Sequence, residues 1–365
     1  MSNVYTTNRD SFRERAQQIG AAQFSYPLDG YNGPEGENLS CDVAVVGNPD
    51  APHKVVITSG IHGVELPLGS ELQVQWLASA QKICEANPDI SFVFVHALNP
   101  YGAAYGLRTD HQNIDPNRNF VDFTQAQSPS LSYRELAPAF APKKLSRSAL
   151  ACSWAKMLHF AGKNGMAKFV QALAGGQYEF PDGLYYGGNA PSWTRKTWQE
   201  IVKTHVVHAE LQNLWHVDIH TGYGPFGKLQ LMVNTEEGSE LHQRVQRLGP
   251  PDSIEVTDTF LGRLSGDIVD SLGRLVDLPL QTVVTPFAIE VGTTQFAELD
   301  VLYNLLLRNT LAQRHQDQHP RAQAIIGGMR DMFYPPDKVW RNAAVPQSND
   351  IWNKLAAVVQ AQAQL

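Results

Sequence analysis

Residues 54–85 read KVVITSGIHGVELPLGSELQVQWLASAQKICE and predict a strand, a tight turn and a helix in direct succession. The strand at 54–60 is a β-branched run with apolar residues on both faces, a pattern typical of strands buried under helices. The helix at 65–85 follows after only a few residues. Units of this kind are the building blocks of an α/β sheet.

Five further segments have the same short, apolar, β-branched character and are predicted as strands. They are residues 41–47, 90–98, 215–221, 229–234 and 282–291. A second helix is predicted at 295–315, directly after the last strand. Because strands and helices alternate on this scale, the predicted fold class is α/β, with a mixed, mostly parallel twisted sheet and helices on both faces.

The stretch at about 128–214 has a different character and is predicted as a mostly helical insertion over one face of the sheet. Helix-forming residues cluster at 145–173 and at 192–214, with a glycine-rich turn between them. The tail at about 321–365 is interrupted by two prolines and is expected to end in a short helix rich in Ala and Gln. No internal repeat divides the sequence, so a single domain over 1–365 is predicted.

The composition of the 365-residue chain argues against several classes of function. Lys and Arg number 29 against 36 Asp and Glu, a formal net charge of −7 that speaks against nucleic acid or a membrane as the main partner. No apolar run suits a signal peptide, and none reaches the ~20 residues of a membrane span. Three widely separated cysteines fit neither a disulfide framework nor a thiolate metal site. A cytoplasmic protein with reduced thiols is the expectation.

The turn of the first strand–helix unit carries the first group of polar residues. In SGIHGVE, His62 lies in the turn, and Glu65 opens the helix three residues later. This spacing lets an imidazole and a carboxylate converge on one point, which suits a pair of zinc ligands. The alternative is a turn histidine followed by a glutamate that the helix dipole favours.

A second histidine lies at the end of a predicted strand, in the run DIHTG. Since side chains alternate along a strand, Asp218 and His220 share one face, at the end where α/β sheets form their ligand crevices. Two histidines and one carboxylate from different elements are a three-ligand set of catalytic zinc. Asp218 is left unassigned, and a structural, hydrogen-bonded His220 is the alternative.

Two further segments place charged residues next to apolar strands. Glu290 lies in the run FAIEVG, where an acidic residue is costly unless it is paired or functional. A carboxylate near zinc can accept a proton from water. The alternative to this functional role is a glutamate at the end of a strand that simply reaches solvent.

The loop at 99–120 contains Arg108 and the run DPNRN. The guanidinium fork of an arginine suits a carboxylate or a developing oxyanion.

The order of these features resembles that of the zinc carboxypeptidase family, including its aspartoacylase and succinylglutamate desuccinylase relatives. HxxE, Asn-Pro, Arg, Asp-x-Asn-Arg, a strand-end His and a strand Glu follow one another between residues 60 and 292. The insertion carries none of these motifs. The resemblance implies a carboxypeptidase-like α/β fold and one Zn2+ ion per chain, with His62, Glu65 and His220 as ligands. It also implies that Glu290 is the general base that activates the zinc-bound water.

The same resemblance implies a substrate with a free carboxylate. Arg108 would polarise the scissile carbonyl, while Asn117 and Arg118 would hold the carboxylate. The activity favoured is that of a carboxypeptidase, which hydrolyses a peptide or amide bond next to the carboxylate of a small peptide. One alternative is a deacylase of N-acyl amino acids, and another, from a different class, is a catalytically inactive carboxylate-binding module. The oligomeric state is left open.

The sequence departs from the digestive members of that family. They carry a tyrosine between the last ligand and the base, above the substrate, whereas here Tyr223 is the only one in that interval and lies too close to His220. The runs GIHGVE, DIHT and IEVG look more like the aspartoacylase branch, but the long insertion does not. Lys228 and Arg263 are the nearby basic candidates for a side-chain pocket.

Overall fold

The computed structural model describes residues 4–125, 127, 130–256, 266–294, 298–314 and 318–364. The strands of these residues are β1 Ala22–Asn32, β2 Asn38–Gly47, β3 His53–Ser59, β4 Ile90–His96, β5 Asn213–Pro225, β6 Leu229–Val233, β7 Ile254–Val256 and β8 Val283–Thr294. The α-helices are α1 Val4–Gln18, α2 Leu66–Ala86, α3 Pro100–Tyr105, α4 Leu131–Phe140, α5 Arg147–Asn164, α6 Met166–Ala174, α7 Trp193–His205, α8 Glu240–Val245, α9 Glu298–Gln313, α10 Ala322–Phe333 and α11 Lys338–Gln362.

The strands form one mixed sheet in the order β1-β2-β4-β3-β5-β8-β6-β7. Its four central strands, β4, β3, β5 and β8, run parallel to one another. The outer strands β1, β2 and β6 join by antiparallel pairing, and β7 is parallel to β6. The α/β fold predicted from the alternation of elements is therefore confirmed. Because the central strands are parallel, their carboxyl ends meet at one edge of the sheet.

Helices cover both faces of this sheet, as predicted. On one face, α2 and α11 pack together, and the rings of Trp76 and Trp352 stack with centroids 4.9 Å apart. On the other face, α7 buries Trp198, whose ring stacks on His216 of β5 at 4.9 Å. Strands enclosed on both faces need apolar residues on both sides, which explains why β3 and β4 are buried throughout.

All six predicted strands and the helix that follows β3 are present within a few residues of the predicted bounds. Two strands were not predicted. β1 is an edge strand whose side chains are mostly exposed and which contains Pro27, so it lacks the apolar run of a buried strand. β7 has only three residues. The helix predicted at 295–315 is present at Glu298–Gln313, and residues 295–297 and 315 lie outside the described part of the chain.

The insertion differs from the prediction in three respects. The helix predicted at 145–173 is split into α5 and α6, because Gly165 has a φ of 88°. The helix predicted at 192–214 ends at His205, whose carbonyl accepts a hydrogen bond from the buried Lys54 Nζ at 3.0 Å. Finally, α4–α6 do not lie over the sheet. Their apolar side chains pack with those of α9 and α10 in a separate core that contains no strand residue among those described.

The predicted short helix of the tail is wrong in length. α11 has 25 residues and contains Pro346. It begins after the two prolines, where the carboxylate of Asp337 accepts a hydrogen bond from Val339 N at 2.8 Å. The buried Trp340 and Trp352 anchor the parts of the helix before and after Pro346. None of the described helices has both the length and the apolar character needed to cross a membrane.

The turn after β3 depends on a glycine at a close backbone contact. A Cβ at Gly63 would lie 2.0 Å from the backbone nitrogen of Ala103 in α3. The same turn is held by a hydrogen bond from Val64 N to Leu107 O at 2.9 Å. No side chain can be added here without moving the backbone, and the backbone in question leads directly to Glu65.

We expect Gly63→Ala to lower the free energy of unfolding by about 3 kcal/mol, because the added methyl group overlaps backbone atoms that cannot rotate away. Gly162→Ala is the matched control: this exposed glycine of α5 has no atom within 4 Å of the added Cβ. The control should raise stability by up to about 1 kcal/mol. Urea denaturation checks both values, and a Gly63→Ala midpoint equal to that of the unaltered protein would contradict the packing argument.

Candidate metal centre

Three buried side chains converge at the carboxyl end of the central strands. His62 and Glu65 lie in the turn after β3, and His220 lies near the end of β5. The possible ligand atoms of all three lie within 4.8 Å of one another. Glu65 contacts both imidazoles: its Oε1 is 2.9 Å from His62 Nδ1, and its Oε2 is 2.9 Å from His220 Nδ1. The structure therefore brings together the three residues that the sequence suggested as ligands.

The two imidazoles are oriented by other carboxylates. His62 Nε2 lies 3.2 Å from Asp115 Oδ1, and His220 Nε2 lies 2.6 Å from Asp218 Oδ2. With the Nε2 atoms occupied, both histidines turn their Nδ1 atoms towards Glu65. A carboxylate behind a metal-ligating imidazole fixes its tautomer and increases its basicity. Asp218, to which the sequence analysis assigned no role, thus orients the imidazole of His220.

Asp218 is itself held by buried polar groups. The hydroxyl of Thr58 donates to Asp218 Oδ1 at 2.6 Å and lies 3.1 Å from His216 Nε2. Burial lowers the pKa of His216 to about 4, so its imidazole is neutral at physiological pH. The carboxylate behind His220 is consequently fixed in one orientation.

Burial and charge oppose each other in the three-residue cluster. Burial by itself raises the pKa of Glu65, but His62 and His220 outweigh it and hold that pKa well below its usual range. Burial lowers the pKa of His220, but Asp218 and Glu65 outweigh it and raise that pKa well above its usual range. The acidic groups around the imidazoles thus favour positive charge at this position.

The cluster has the chemistry of a cation site. His62 Nδ1 is buried and has no hydrogen-bond partner among the described residues, although Glu65 Oε1 lies 2.9 Å away. That contact is an ion-pair contact rather than a well-aligned hydrogen bond, and a metal ion between the two groups would satisfy both the nitrogen and the carboxylate. Two imidazole nitrogens and one carboxylate are also a donor set that zinc accepts. His62, Glu65 and His220 could therefore hold a metal ion.

Glu290 lies beside the cluster on the neighbouring strand. It occupies the β8 position that pairs with His220 of β5. Its half-buried carboxylate accepts a hydrogen bond from Tyr223 N at 2.9 Å through Oε1. Burial raises the pKa of Glu290 to about 8, with Glu65 adding to the rise and His220 and Arg108 opposing it. Tyr223 thus approaches the site through its backbone N–H.

Arg108 lies next to the cluster, beside Glu65. Its Nε donates to Asp115 Oδ2 at 2.9 Å, and its Nη1 lies 3.5 Å from Glu65 Oε1. Burial raises the pKa of Asp115, but Arg108 and His62 outweigh it and hold that pKa well below its usual range. One carboxylate therefore fixes both an imidazole of the cluster and the guanidinium next to it.

Asn117 and Arg118 follow Asp115 in the same loop and are buried. The side-chain oxygen of Asn117 accepts a hydrogen bond from Ile268 N at 2.8 Å. Nη1 of Arg118 donates to the carbonyl of Asn117 at 2.7 Å. The amide oxygen of Asn117 is thus committed to the protein, so its amide nitrogen is the group that remains for a ligand.

Sequence reasoning missed three residues of the site. Asp115 could have been found in the run DPNRN, where it precedes the two predicted substrate contacts. Asp267 follows Gly266, which pairs with Phe120. It precedes Ile268, whose backbone N–H donates to the side chain of Asn117. Burial raises the pKa of Asp267, with His220 and Arg118 opposing the rise. Tyr185 lies in the insertion, which carries no motif, and no local signal pointed to it or to Asp267.

The basic candidates for a side-chain pocket do not help to define one. Lys228 is exposed in the turn before β6, where its carbonyl accepts a hydrogen bond from Gly292 N at 2.9 Å. Arg263 lies outside the described residues.

Comparison with known families gives a match along most of the chain. Residues 1–347 match the family described as protein of unknown function (DUF2817). The chain belongs to this family. No functionally curated protein matches the sequence.

Solved structures resemble this DUF2817 protein at low sequence identity. Bovine thrombin-activatable fibrinolysis inhibitor, in complex with tick carboxypeptidase inhibitor, is 12% identical with a TM-score of 0.52 over 99% of this chain and 98% of that one. A metallo-carboxypeptidase from Pseudomonas aeruginosa is 14% identical with a TM-score of 0.46 over 96% and 68%. A putative succinylglutamate desuccinylase/aspartoacylase from Shewanella frigidimarina is 15% identical with a TM-score of 0.37 over 81% and 71%.

The first of these similarities extends over nearly the whole of both chains. The resemblance to the zinc carboxypeptidase family, predicted from the order of the motifs, is therefore confirmed for the fold. At such identities the comparison concerns the fold alone. The chemistry of this DUF2817 protein has to be argued from its own side chains.

We expect Asp115→Asn to weaken zinc binding by about 10- to 100-fold, the usual cost of altering a group behind a metal-ligating histidine. The substitution keeps the shape of the side chain but removes the charge that holds His62 and Arg108. Competition with a chromogenic chelator measures the affinity. Asp110→Asn is the matched control, because Asp110 is a buried aspartate of the same loop whose carboxylate bonds only to Gln112 N and Ile114 N among the described residues. Equal zinc affinity in Asp115→Asn and the control would contradict the assigned role.

Proposed function

We propose that this protein is a zinc-dependent metallohydrolase of carboxypeptidase type, which cleaves a peptide or amide bond next to a free carboxylate. One observation carries the proposal: a buried cluster of two histidines and a glutamate lies at the carboxyl edge of the sheet, with a second glutamate and an arginine beside it. Such a constellation supplies a cation site, a base and an electrophilic side chain around one space. Residues 1–365 are proposed to act as one catalytic domain.

His62, Glu65 and His220 would hold the zinc ion. Zinc, when bound, supplies Lewis acidity and lowers the pKa of water in such sites towards ~7. Three protein ligands leave a position open for that chemistry, as catalytic rather than structural zinc sites do. The protein's own contribution is to orient the ligands, through Asp115 behind His62 and Asp218 behind His220.

Glu290 is proposed as the general base. Tyr223 N occupies Oε1 of its carboxylate, so Oε2 is the oxygen available to take a proton from the attacking water. Burial raises the pKa of Glu290 to about 8 without a metal ion, and the positive charge of a bound cation would lower this pKa towards neutral pH and favour the carboxylate form that a base requires. The carboxyl group would then pass that proton to the leaving nitrogen as the amide bond breaks.

Arginine and asparagine side chains complete the proposed site. Arg108, which is held by Asp115, would polarise the scissile carbonyl and stabilise the oxyanion that forms on it. Losing one such donor costs about 10²–10³ in kcat in comparable enzymes. The amide nitrogen of Asn117 and the guanidinium of Arg118 would hold the free carboxylate of the substrate, for which the arginine fork is suited.

A deacylase of N-acyl amino acids is the second candidate, because the runs around His62, His220 and Glu290 resemble the aspartoacylase branch. Both activities break an amide bond beside a carboxylate, but they differ in which side of the bond is large. A catalytically inactive carboxylate-binding module is the third candidate. The intact set of candidate ligands and the half-buried Glu290 beside His220 argue against it. A cytoplasmic location, with the three cysteines reduced, remains part of the proposal.

We expect Glu290→Gln to reduce kcat by at least about 100-fold while zinc content stays at one per chain, because the amide cannot accept the proton but leaves the ligands intact. Hydrolysis rates and zinc analysis of the same preparations check this. Full activity in Glu290→Gln would refute its assignment as the base. A wild-type protein that carries no zinc and takes up none on reconstitution would favour the inactive module.

We expect peptides with a free C-terminal carboxylate to be hydrolysed with a kcat/KM at least about tenfold higher than that for N-acetyl or N-succinyl amino acids. The same peptides with an amidated C-terminus are the controls and should react poorly, since Arg118 then has no carboxylate to bind. Release of the amino acid, followed by mass spectrometry, measures both sets. A preference for the N-acyl amino acids would reverse the order of the two candidate activities.

A further inference from the structure

The insertion places one aromatic ring against both arginines of the site. Tyr185 lies in the connection between α6 and α7, and the Cζ atoms of Arg108 and Arg118 lie over its ring at 5.2 Å and 5.9 Å from the centroid. Both distances are within the range in which an aromatic face attracts a guanidinium, and the attraction is stronger where the groups are desolvated. Arg118 is buried, and the side chain of Arg108 is only 16% exposed.

The backbone of Tyr185 is in a costly conformation. Its φ is 54°, in the left-handed region that bulky residues avoid. Such a conformation is strained and persists only where the surrounding structure enforces it. The conformation is therefore a sign that the position of this ring is imposed by its surroundings.

Those surroundings are hydrogen bonds on both sides of Tyr185. Before it, Asn113 Nδ2 donates to Gly183 O at 3.1 Å. After it, Asp115 N donates to Tyr186 O at 2.7 Å, and Asn119 Nδ2 donates to Gly187 O at 2.7 Å. The segment that carries Tyr185 is thus fixed to the same loop that carries Arg108 and Arg118.

Arg118 has further contacts with the insertion. The hydroxyl of Tyr178 donates to its carbonyl at 2.8 Å. A Cβ at Gly176 would lie 2.8 Å from Arg118 Cδ, so only a glycine leaves room for the aliphatic part of this side chain. The connection between α6 and α7 therefore encloses Arg118 from the backbone to the guanidinium.

We propose that Tyr185 is a positioning residue, whose ring holds the guanidinium groups of Arg108 and Arg118 in the orientation in which they meet the substrate. This inference rests on the proposed function, which gives the two arginines to the scissile carbonyl and the carboxylate. The ring supplies an electron-rich face to two like charges, which offsets their repulsion and limits the rotamers of two long side chains. The insertion thereby becomes part of the substrate site.

The test compares Tyr185→Phe, which keeps the aromatic face, with Tyr185→Leu, which removes it. Succinate is the probe, and calorimetry measures its dissociation constant without any hydrolysis. We expect Tyr185→Leu to raise this constant about tenfold or more and Tyr185→Phe to change it by less than about twofold. Tyr186→Leu is the matched control, since it removes the neighbouring tyrosine, which is buried, and should leave the constant within about twofold.

A second readout reports the arginines directly. In 15N-labelled protein the Nε–Hε signals of Arg108 and Arg118, assigned with the variants Arg108→Lys and Arg118→Lys, should show ring-current shifts that Tyr185→Phe keeps and Tyr185→Leu loses. In kinetic assays Tyr185→Leu should raise KM by a larger factor than it lowers kcat. The Phe variant should restore the wild-type KM.

Three results would overturn the inference. They are unchanged Nε–Hε signals in Tyr185→Leu, wild-type succinate binding in that variant, or an equal loss in the Phe and Leu variants, which would assign the effect to the hydroxyl group. The proposed function fails by a different result: a wild-type protein that contains zinc and hydrolyses neither the peptides nor the N-acyl amino acids. The NMR signals would still report whether the ring positions the arginines.

Discussion

The carboxylate of Glu65 is the group on which the arrangement of the site depends. It is buried and lies 2.9 Å from an imidazole nitrogen on each side, one from its own turn and one from β5. A carboxylate in that position is stable only because the two imidazoles offset its loss of hydration. The neighbouring carboxylates of Asp115 and Asp218 then orient those imidazoles. Each of these buried groups has its polar partner within the cluster, so removing one of them leaves a neighbour without its contact.

The parallel centre of the sheet makes this cluster possible. Because β3, β5 and β8 run in the same direction, the turn after β3, the end of β5 and the end of β8 all reach the same edge. The register pairs His220 with Glu290, so a candidate ligand and the candidate base lie next to each other without any loop to place them. Gly63 contributes by allowing the backbone before Glu65 to touch α3. Residues separated by more than 200 positions thus meet through the sheet.

The accuracy of the sequence predictions follows this division between sheet and connections. Buried parallel strands carry apolar residues on both faces, so six strands and the motifs at their ends could be read directly from the sequence. The exposed edge strand β1 has no such pattern. The last residue of α7 accepts a hydrogen bond from Lys54, which lies about 150 residues earlier in the chain, and α4–α6 pack on helices that come much later. These outcomes depend on contacts between distant segments, which local patterns do not contain.

The same distinction applies to the functional residues. The spacing of the motifs identified His62, Glu65 and His220, because their positions relative to the strands are local properties of the sequence. The place of Tyr185 depends on hydrogen bonds between the insertion and the loop of Arg108, and neither segment indicates the other. If Tyr185 positions both arginines as proposed, then the ends of the parallel strands supply the candidate ligands and the candidate base, while the connection between α6 and α7 orients the two arginines proposed to contact the substrate. A long insertion without motifs is then the part of the chain where substitutions can alter the proposed substrate contacts while the candidate metal ligands and the candidate base stay in place.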